Sequence, residues 1–321
     1  DEIQLVNNFE EVLNSFLKKQ NLDVYVTGSN SKFLSKDIIT EFRGRSTEIK
    51  IYPLSFKEFV EITEMSGDKA WKEYTLYGGL PPVVLQKDEK QKREYLSNLF
   101  ETTYLKDIIE RNDIKRKDVL DSIVNILASS VGSLTNPANI YKTYLSTGDK
   151  DISLNTISSY IEHLENAFLI KKAERYDVKG RKYISTPFKY YFTDLGLRNV
   201  RLNFRQQEEN HIMENIIYNE LLVRGYSIDV GVIETRTTDG RVYYEIDFVC
   251  NMASNRYYIQ SALNIDTPEK NYQESRSLNC VNDNFKKIIV VRDDINSWHN
   301  EDGILIIGVR EFLLNKNSLE L

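Results

Sequence analysis

The sequence predicts a mixed fold, α/β plus α, and three observations predict it. Strand-like and helix-like patterns alternate in the first sixty residues and again after residue 206. Between Ser55 and about Leu145 the apolar spacing is almost entirely helical. A helix followed by two β-like runs around a basic turn separates that stretch from the tail. The implied regions are 1–60, 61–150, 151–205 and 206–321.

Within the first region, Phe9, Val12, Leu13, Phe16 and Leu17 make a helical stripe over 7–20. Leu22 to Thr27 is short, β-rich and apolar, so it reads as a buried strand closed by Gly28-Ser29-Asn30-Ser31. A helix is expected from Phe33 to Phe42, and the alternation Glu48-Ile49-Lys50-Ile51-Tyr52 reads as a strand stopped by Pro53. Ser55 and Glu58 have the spacing of a capping box. Gly78-Gly79-Leu80-Pro81-Pro82 breaks the helical region. A long amphipathic helix is expected over 91–111.

In the third region, Ile157, Tyr160, Ile161, Leu164 and Phe168 mark a helix face. Two β-like runs follow at 169–177 and 182–192, around Lys179-Gly180-Arg181. Helix, then hairpin with a basic tip, is the outline of a winged helix-turn-helix. The tail returns to α/β, with a helix over 208–224 stopped by Gly225 and strands at 242–250, 256–263, 287–292 and 304–309.

Composition narrows the functional classes. The chain has 321 residues, 41% hydrophobic and 28% charged, as expected for two or three globular domains. With 14 Gly and 6 Pro it is not collagen-like, and 20 Tyr with 14 Phe argue against disorder. Two cysteines, Cys250 and Cys280, are too few for a disulfide framework, and His163, His211 and His299 lack zinc-ligand spacing from them. No apolar run approaches the roughly 20 residues of a membrane helix, and Asp1-Glu2-Ile3-Gln4 is no signal peptide, so a cytoplasmic protein without a membrane partner is expected. The net charge of −6 excludes a uniformly basic nucleic-acid binder. It averages a basic stretch, 171–205, with ten Lys/Arg against three acids, and a tail, 206–321, with eleven against nineteen.

Four motifs occur in order near the start. Asp1-Glu2 precedes Ile3-Gln4, and Val24-Tyr25-Val26-Thr27-Gly28-Ser29-Asn30 ends a strand-like run in small polar residues. Arg43-Gly44-Arg45 follows, then Pro53-Leu54-Ser55-Phe56-x-Glu58-Phe59. Together with Gly78-Gly79-Leu80-Pro81, Leu105-Lys106-Asp107-Ile108 and Phe312-Leu313, this order resembles the prokaryotic AAA-superfamily ATPases whose C-terminal half is a conserved domain of unknown function.

The resemblance implies roles. In an intact relative, Asp1 would help hold Mg²⁺ with ATP and Glu2 would activate the attacking water. Ser29 and Asn30 would sense the γ-phosphate, and Arg45, or Arg43, would reach a neighbour's nucleotide, which implies a homo-oligomer. The family's phosphate loop, G-x-x-x-x-G-K-[ST], precedes the acidic pair, and it does not occur in these 321 residues. This polypeptide alone is therefore expected neither to bind nor to hydrolyse ATP appreciably, and to need no cofactor.

A second set of residues lies in the tail. Glu214 is on a helix, Glu245-Ile246-Asp247-Phe248-Val249 on a strand, and Tyr257-Tyr258-Ile259-Gln260-Ser261-Ala262 on the next. This is similar to the restriction-endonuclease-like fold, with its Glu…Asp…(Glu/Gln)-x-Lys signature for Mg²⁺ and phosphate. Ala262 stands where the Lys would be, so Glu214, Asp247 and Gln260 are expected to form a degenerate site. The combined expectation is a partial P-loop ATPase core (1–60), a helical lid (61–150), a winged helix-turn-helix (151–205) and a restriction-endonuclease-like domain (206–321). Lys179, Arg181 and Lys182 at the wing tip are the candidates for contacting nucleic-acid phosphates; the winged segment could equally dock a protein. Two other readings compete with the ATPase: a DNA- or protein-binding regulator without catalysis, and a metal-dependent nuclease.

Overall fold

The computed structural model describes residues 3, 6–28, 45, 47–146, 152–205, 208–237 and 240–321. Helix α1 (Phe9–Phe16) forms where the stripe predicts it and buries Phe9. The helix expected over Phe33–Phe42 lies outside the described residues. The two early strands are a correction: neither 22–27 nor 48–52 is a strand, and Tyr25, Ile49 and Ile51 are exposed. Alternation sets which side chains share a face but does not supply the neighbouring backbone that makes a strand. Among the described residues no ladder includes either segment.

Ser55 opens the helical region. Its hydroxyl accepts from the Glu58 N–H at 3.3 Å, and the Glu58 carboxylate accepts from the Ser55 N–H at 2.9 Å, closing the expected capping box on α2 (Phe56–Thr63). Helices α3 (Gly67–Tyr77) and α4 (Pro81–Val84) follow. The long helix appears as α5 (Glu89–Asn98) and α6 (Lys106–Arg111), joined by a π-helical segment, Leu99–Leu105. Helices α7 (Lys117–Ser129), α8 (Pro137–Ser146) and α9 (Leu154–Asn166) pack together. Ile123, Leu127, Ile140, Ile157, Ile161 and Leu164 are buried in their shared core.

The glycine break is a close-packing device. A Cβ on Gly79 would lie 2.2 Å from the Leu54 carbonyl oxygen, and one on Gly78 within 2.6 Å of the Asp194 carboxylate. That carboxylate accepts from the Gly79 N–H at 2.7 Å and, at 3.2 Å, from the Leu197 N–H in the first turn of α10 (Leu195–Arg201). Burial raises the Asp194 carboxyl to about 6 against these hydrogen bonds.

The hairpin forms nearly as read, as β1 (Ile170–Asp177) and β2 (Lys182–Phe192). The tail contributes α11 (Glu209–Val223), β3 (Ser227–Thr237), β4 (Gly240–Met252), β5 (Asn255–Ala262), α12 (Pro268–Asn279), β6 (Lys286–Val291), β7 (Trp298–His299), β8 (Leu305–Gly308) and α13 (Val309–Leu314). Strand β1 runs parallel to β3, with Arg175 opposite Val230 and Asp177 opposite Val232. The hairpin and the tail therefore share one eight-stranded mixed sheet, ordered β2-β1-β3-β4-β5-β6-β8-β7. The boundary drawn between 205 and 206 crosses this hydrogen-bonded sheet.

Side-chain alternation gives the sheet two apolar faces. Ile288, Val290, Leu305 and Ile307 pack with α11 and α13. Ile289, Val291 and Ile306 face the other way, toward Leu278 of α12.

Candidate functional site

The centre of the tail is a buried ion cluster built by three elements. Lys189, on β2, is 4% exposed. Its Nζ lies 2.8 Å from Glu214 Oε1, 2.9 Å from Glu245 Oε1 and 3.1 Å from Asp247 Oδ1. Glu245 and Asp247 are two apart on β4, so one pleat presents both. Tyr191, two residues after Lys189 on β2, donates its hydroxyl to Glu214 Oε1 at 2.6 Å.

A β-bulge aims Asp247. Ile246 pairs with Gly231 and Val249 with Asp229, so Asp247 and Phe248 together oppose Val230. Phe248 can then pack against Tyr191 and Tyr218, with centroids 6.2 and 6.3 Å away, while Asp247 still reaches Lys189. Gly231 makes room for the bulge: a Cβ there would lie 2.8 Å from Val249 Cγ2 and 2.9 Å from Ile246 Cβ. The β4–β5 ladder ends at Phe248 and Ile259, and beyond it Asp247 Oδ2 accepts from the Ser261 N–H at 2.9 Å.

One ammonium is shared among three carboxylates. Burial alone would lower the Lys189 ammonium, but Glu214, Asp247 and Glu245 outweigh it and hold it well above its ordinary value. Burial, reinforced by the Asp247 charge, lifts the Glu214 carboxyl to about 7 despite Lys189 and Tyr191. His211 Nδ1 stands 4.0 Å from Glu214 Oε2, and burial lowers its imidazole.

The sequence-derived tail residues come together only in part. Glu214 and Asp247 share Lys189. Gln260 instead accepts from the Asp247 main-chain N–H at 3.4 Å. Ala262 is buried. Lys189 and Glu245 are the residues that sequence reasoning missed in this role. Among the described residues no group of three or more His, Cys, Asp or Glu has the arrangement of a metal site.

At the hairpin tip, Lys179, Arg181 and Lys182 are all exposed. Lys179 Nζ donates to the Glu234 carbonyl at 3.1 Å, tying the tip to β3. Asp177 Oδ1 accepts from the Gly180 N–H at 2.8 Å and closes the turn. Of the nucleotide-site candidates, Asp1, Glu2, Ser29, Asn30 and Arg43 lie outside the described residues, and Arg45 sits at an exposed bend.

Residues 1–60 match an AAA domain, and residues 68–208 match a domain of unknown function (DUF8612). The latter match covers most of the helical region and the hairpin rather than the tail. An uncharacterized protein of Haemophilus influenzae is 39% identical over 322 residues, covering 98% of this chain and 76% of that protein. The uncharacterized protein MJ1544 of Methanocaldococcus jannaschii is 29% identical over 286 residues, covering 84% of this chain and 62% of its own length. The solved structure of protein VC1899 from Vibrio cholerae aligns over 86% of this chain and 63% of its own at 11% identity, but the TM-score of 0.28 is too low to define a shared fold. By its likeness to the Haemophilus protein, this chain belongs to that protein's family, and within it joins an AAA-domain segment to the domain of unknown function.

Proposed function

We propose that the chain is part of an AAA-type ATPase that passes nucleotide-driven motion to its helical, winged and restriction-endonuclease-like modules. The observation that carries this reading is the AAA-domain match over 1–60. That span holds Asp1 for Mg²⁺, Glu2 for water activation, Ser29 and Asn30 for the γ-phosphate, and Arg45 or Arg43 for a neighbouring subunit. ATP and Mg²⁺ are then ligands of the whole protein, and a homo-oligomer is its working form.

The test is ATP turnover by the full-length protein with Mg²⁺. Hydrolysis is expected, with a loss of at least about a hundredfold in Glu2→Gln, the scale of removing a positioned general base. The 321-residue chain alone should show none. Turnover by that chain, abolished by Glu2→Gln, would overturn the expectation of inactivity; no turnover by the full-length protein would overturn the ATPase reading.

The tail, in this reading, keeps a nuclease-like arrangement without nuclease chemistry. A metal-dependent nuclease needs its carboxylates on the cation and open to a phosphodiester. Here the Lys189 ammonium lies within 3.1 Å of all three, and Glu214 and Asp247 side chains are each 10% exposed. Mg²⁺-dependent cleavage of DNA that disappears in Asp247→Ala is the result that would restore the nuclease reading.

A further inference from the structure

Two of the hairpin-tip cations, Lys179 and Arg181, which the ATPase reading leaves unused, line an open groove of about 550 Å³. Lys179 and Arg181 stand on one side, the β4–β5 turn from Asn251 to Arg256 on another, and Val281 to Phe285 complete the lining. Three cations, Lys179, Arg181 and Arg256, face the single carboxylate of Asp283. That carboxylate is already engaged: Oδ2 accepts from the Tyr258 hydroxyl at 2.6 Å and Oδ1 from the Phe285 N–H at 3.2 Å. The groove therefore presents a net positive surface to an incoming ligand.

Its central cation is held in place. Arg256 Nε donates to Asn251 Oδ1 at 2.7 Å, and its guanidinium sits 5.6 Å from the Tyr176 ring and 5.5 Å from the Phe285 ring. A planar cation fixed between aromatic rings loses little freedom when it meets a phosphate. Phe285 is 40% exposed, and the amides of Asn255 and Asn282 stand in solvent around it.

We propose that this groove binds single-stranded nucleic acid. Lys179, Arg181 and Arg256 take successive phosphates, a base stacks on Phe285, and Asn255 and Asn282 meet base edges. Cations interleaved with an aromatic platform in a concave groove are the chemistry that holds unpaired strands. A duplex is read by an element that projects into its groove, whereas this surface is recessed. The proposal stands apart from the ATPase reading, because none of its residues belongs to the nucleotide site.

The experiment is fluorescence anisotropy of the 321-residue chain with labelled DNA and RNA strands of roughly 12 nucleotides, a length suited to such grooves. The same strands as duplexes, inorganic phosphate, ATP and poly-glutamate serve as competitors. Single-strand binding is expected to weaken about twentyfold between roughly 50 and 200 mM salt, as for three phosphate contacts. Arg181→Glu combined with Asn255→Glu, both at exposed positions, should weaken it at least about tenfold. Phe285→Ala should weaken it about fivefold or more through lost stacking. Lys90→Glu, on α5, should leave it unchanged. Circular dichroism of each variant keeps misfolding apart from lost contacts. Absent or salt-independent binding, unchanged affinity in the doubly charged variant, equal affinity for the duplex, or equal competition by poly-glutamate, phosphate or ATP would each overturn the proposal.

Discussion

At the scale of the residue, Lys189 decides what the tail cluster can be. Removing it would leave Glu214, Asp247 and Glu245 without their shared cation. Lys189→Met should destabilise the protein at pH 8 by about 3–5 kcal/mol, the cost of breaking a buried ion cluster from one side, measured by urea unfolding. Glu214 gives a pH test. Its folded carboxyl is raised to about 7 from an ordinary 4.5, so its stabilising contribution is complete below about 4.5 and is lost as pH rises through 7. A shift of that size is worth about 3 kcal/mol. In Glu214→Gln the amide oxygen can still accept from Lys189 and Tyr191, and the pH-dependent loss disappears. The stability difference, variant minus wild type, should therefore grow by up to about 3 kcal/mol between pH 5 and pH 8. A difference that stays flat across that range would show that Glu214 is not the titrating group. Asp194 and Asp229, also raised by burial to about 6, cancel in this comparison.

At the scale of the element, the bulge in β4 carries the geometry. Gly231→Ala places a methyl against Ile246 and Val249 and should cost about 1–3 kcal/mol, as overpacking does. It should also move Asp247 from Lys189, so the pH-dependent difference seen with Glu214→Gln should shrink in this background. Urea titrations of the double variant check this. The element scale also shows what the sequence made legible. Helix α9, both hairpin strands and α11 follow from periodicity and stop signals. Glu214 and Asp247 lie on the predicted helix and strand. Strand β3 is not legible in the sequence, because Gly231 interrupts Ser227–Thr237 and the β4 bulge opposite it is a tertiary feature. Lys189 did not emerge because its acids lie 25, 56 and 58 residues away, with no local spacing to link them. In the first region the pattern misleads, since Ile49 and Ile51 alternate like a strand yet are exposed.

At the scale of the whole molecule, the shared sheet ties the β1–β2 hairpin to the tail. A fragment of 206–321 would expose the β3 edge and lose Lys189, whereas the 321-residue chain keeps that edge paired and Lys189 in place. The fragment should lack a cooperative thermal transition that the 321-residue chain retains, measured by circular dichroism. A second tie joins α3 to the far side of the sheet: Arg292 meets Glu209 at 2.5 Å and Asp68 at 3.7 Å, with its guanidinium 5.0 Å from Trp71. Arg310 meets Asp68 at 3.2 Å and Asp294 at 2.6 Å. Because β1 is laddered to β3, the hairpin is mechanically part of a plate and not a hinged flap. A load applied at its tip would be carried in shear along β1 and β3 into the bulge that seats Asp247. The tip and the ion cluster would consequently yield together under tension, at a single rupture force.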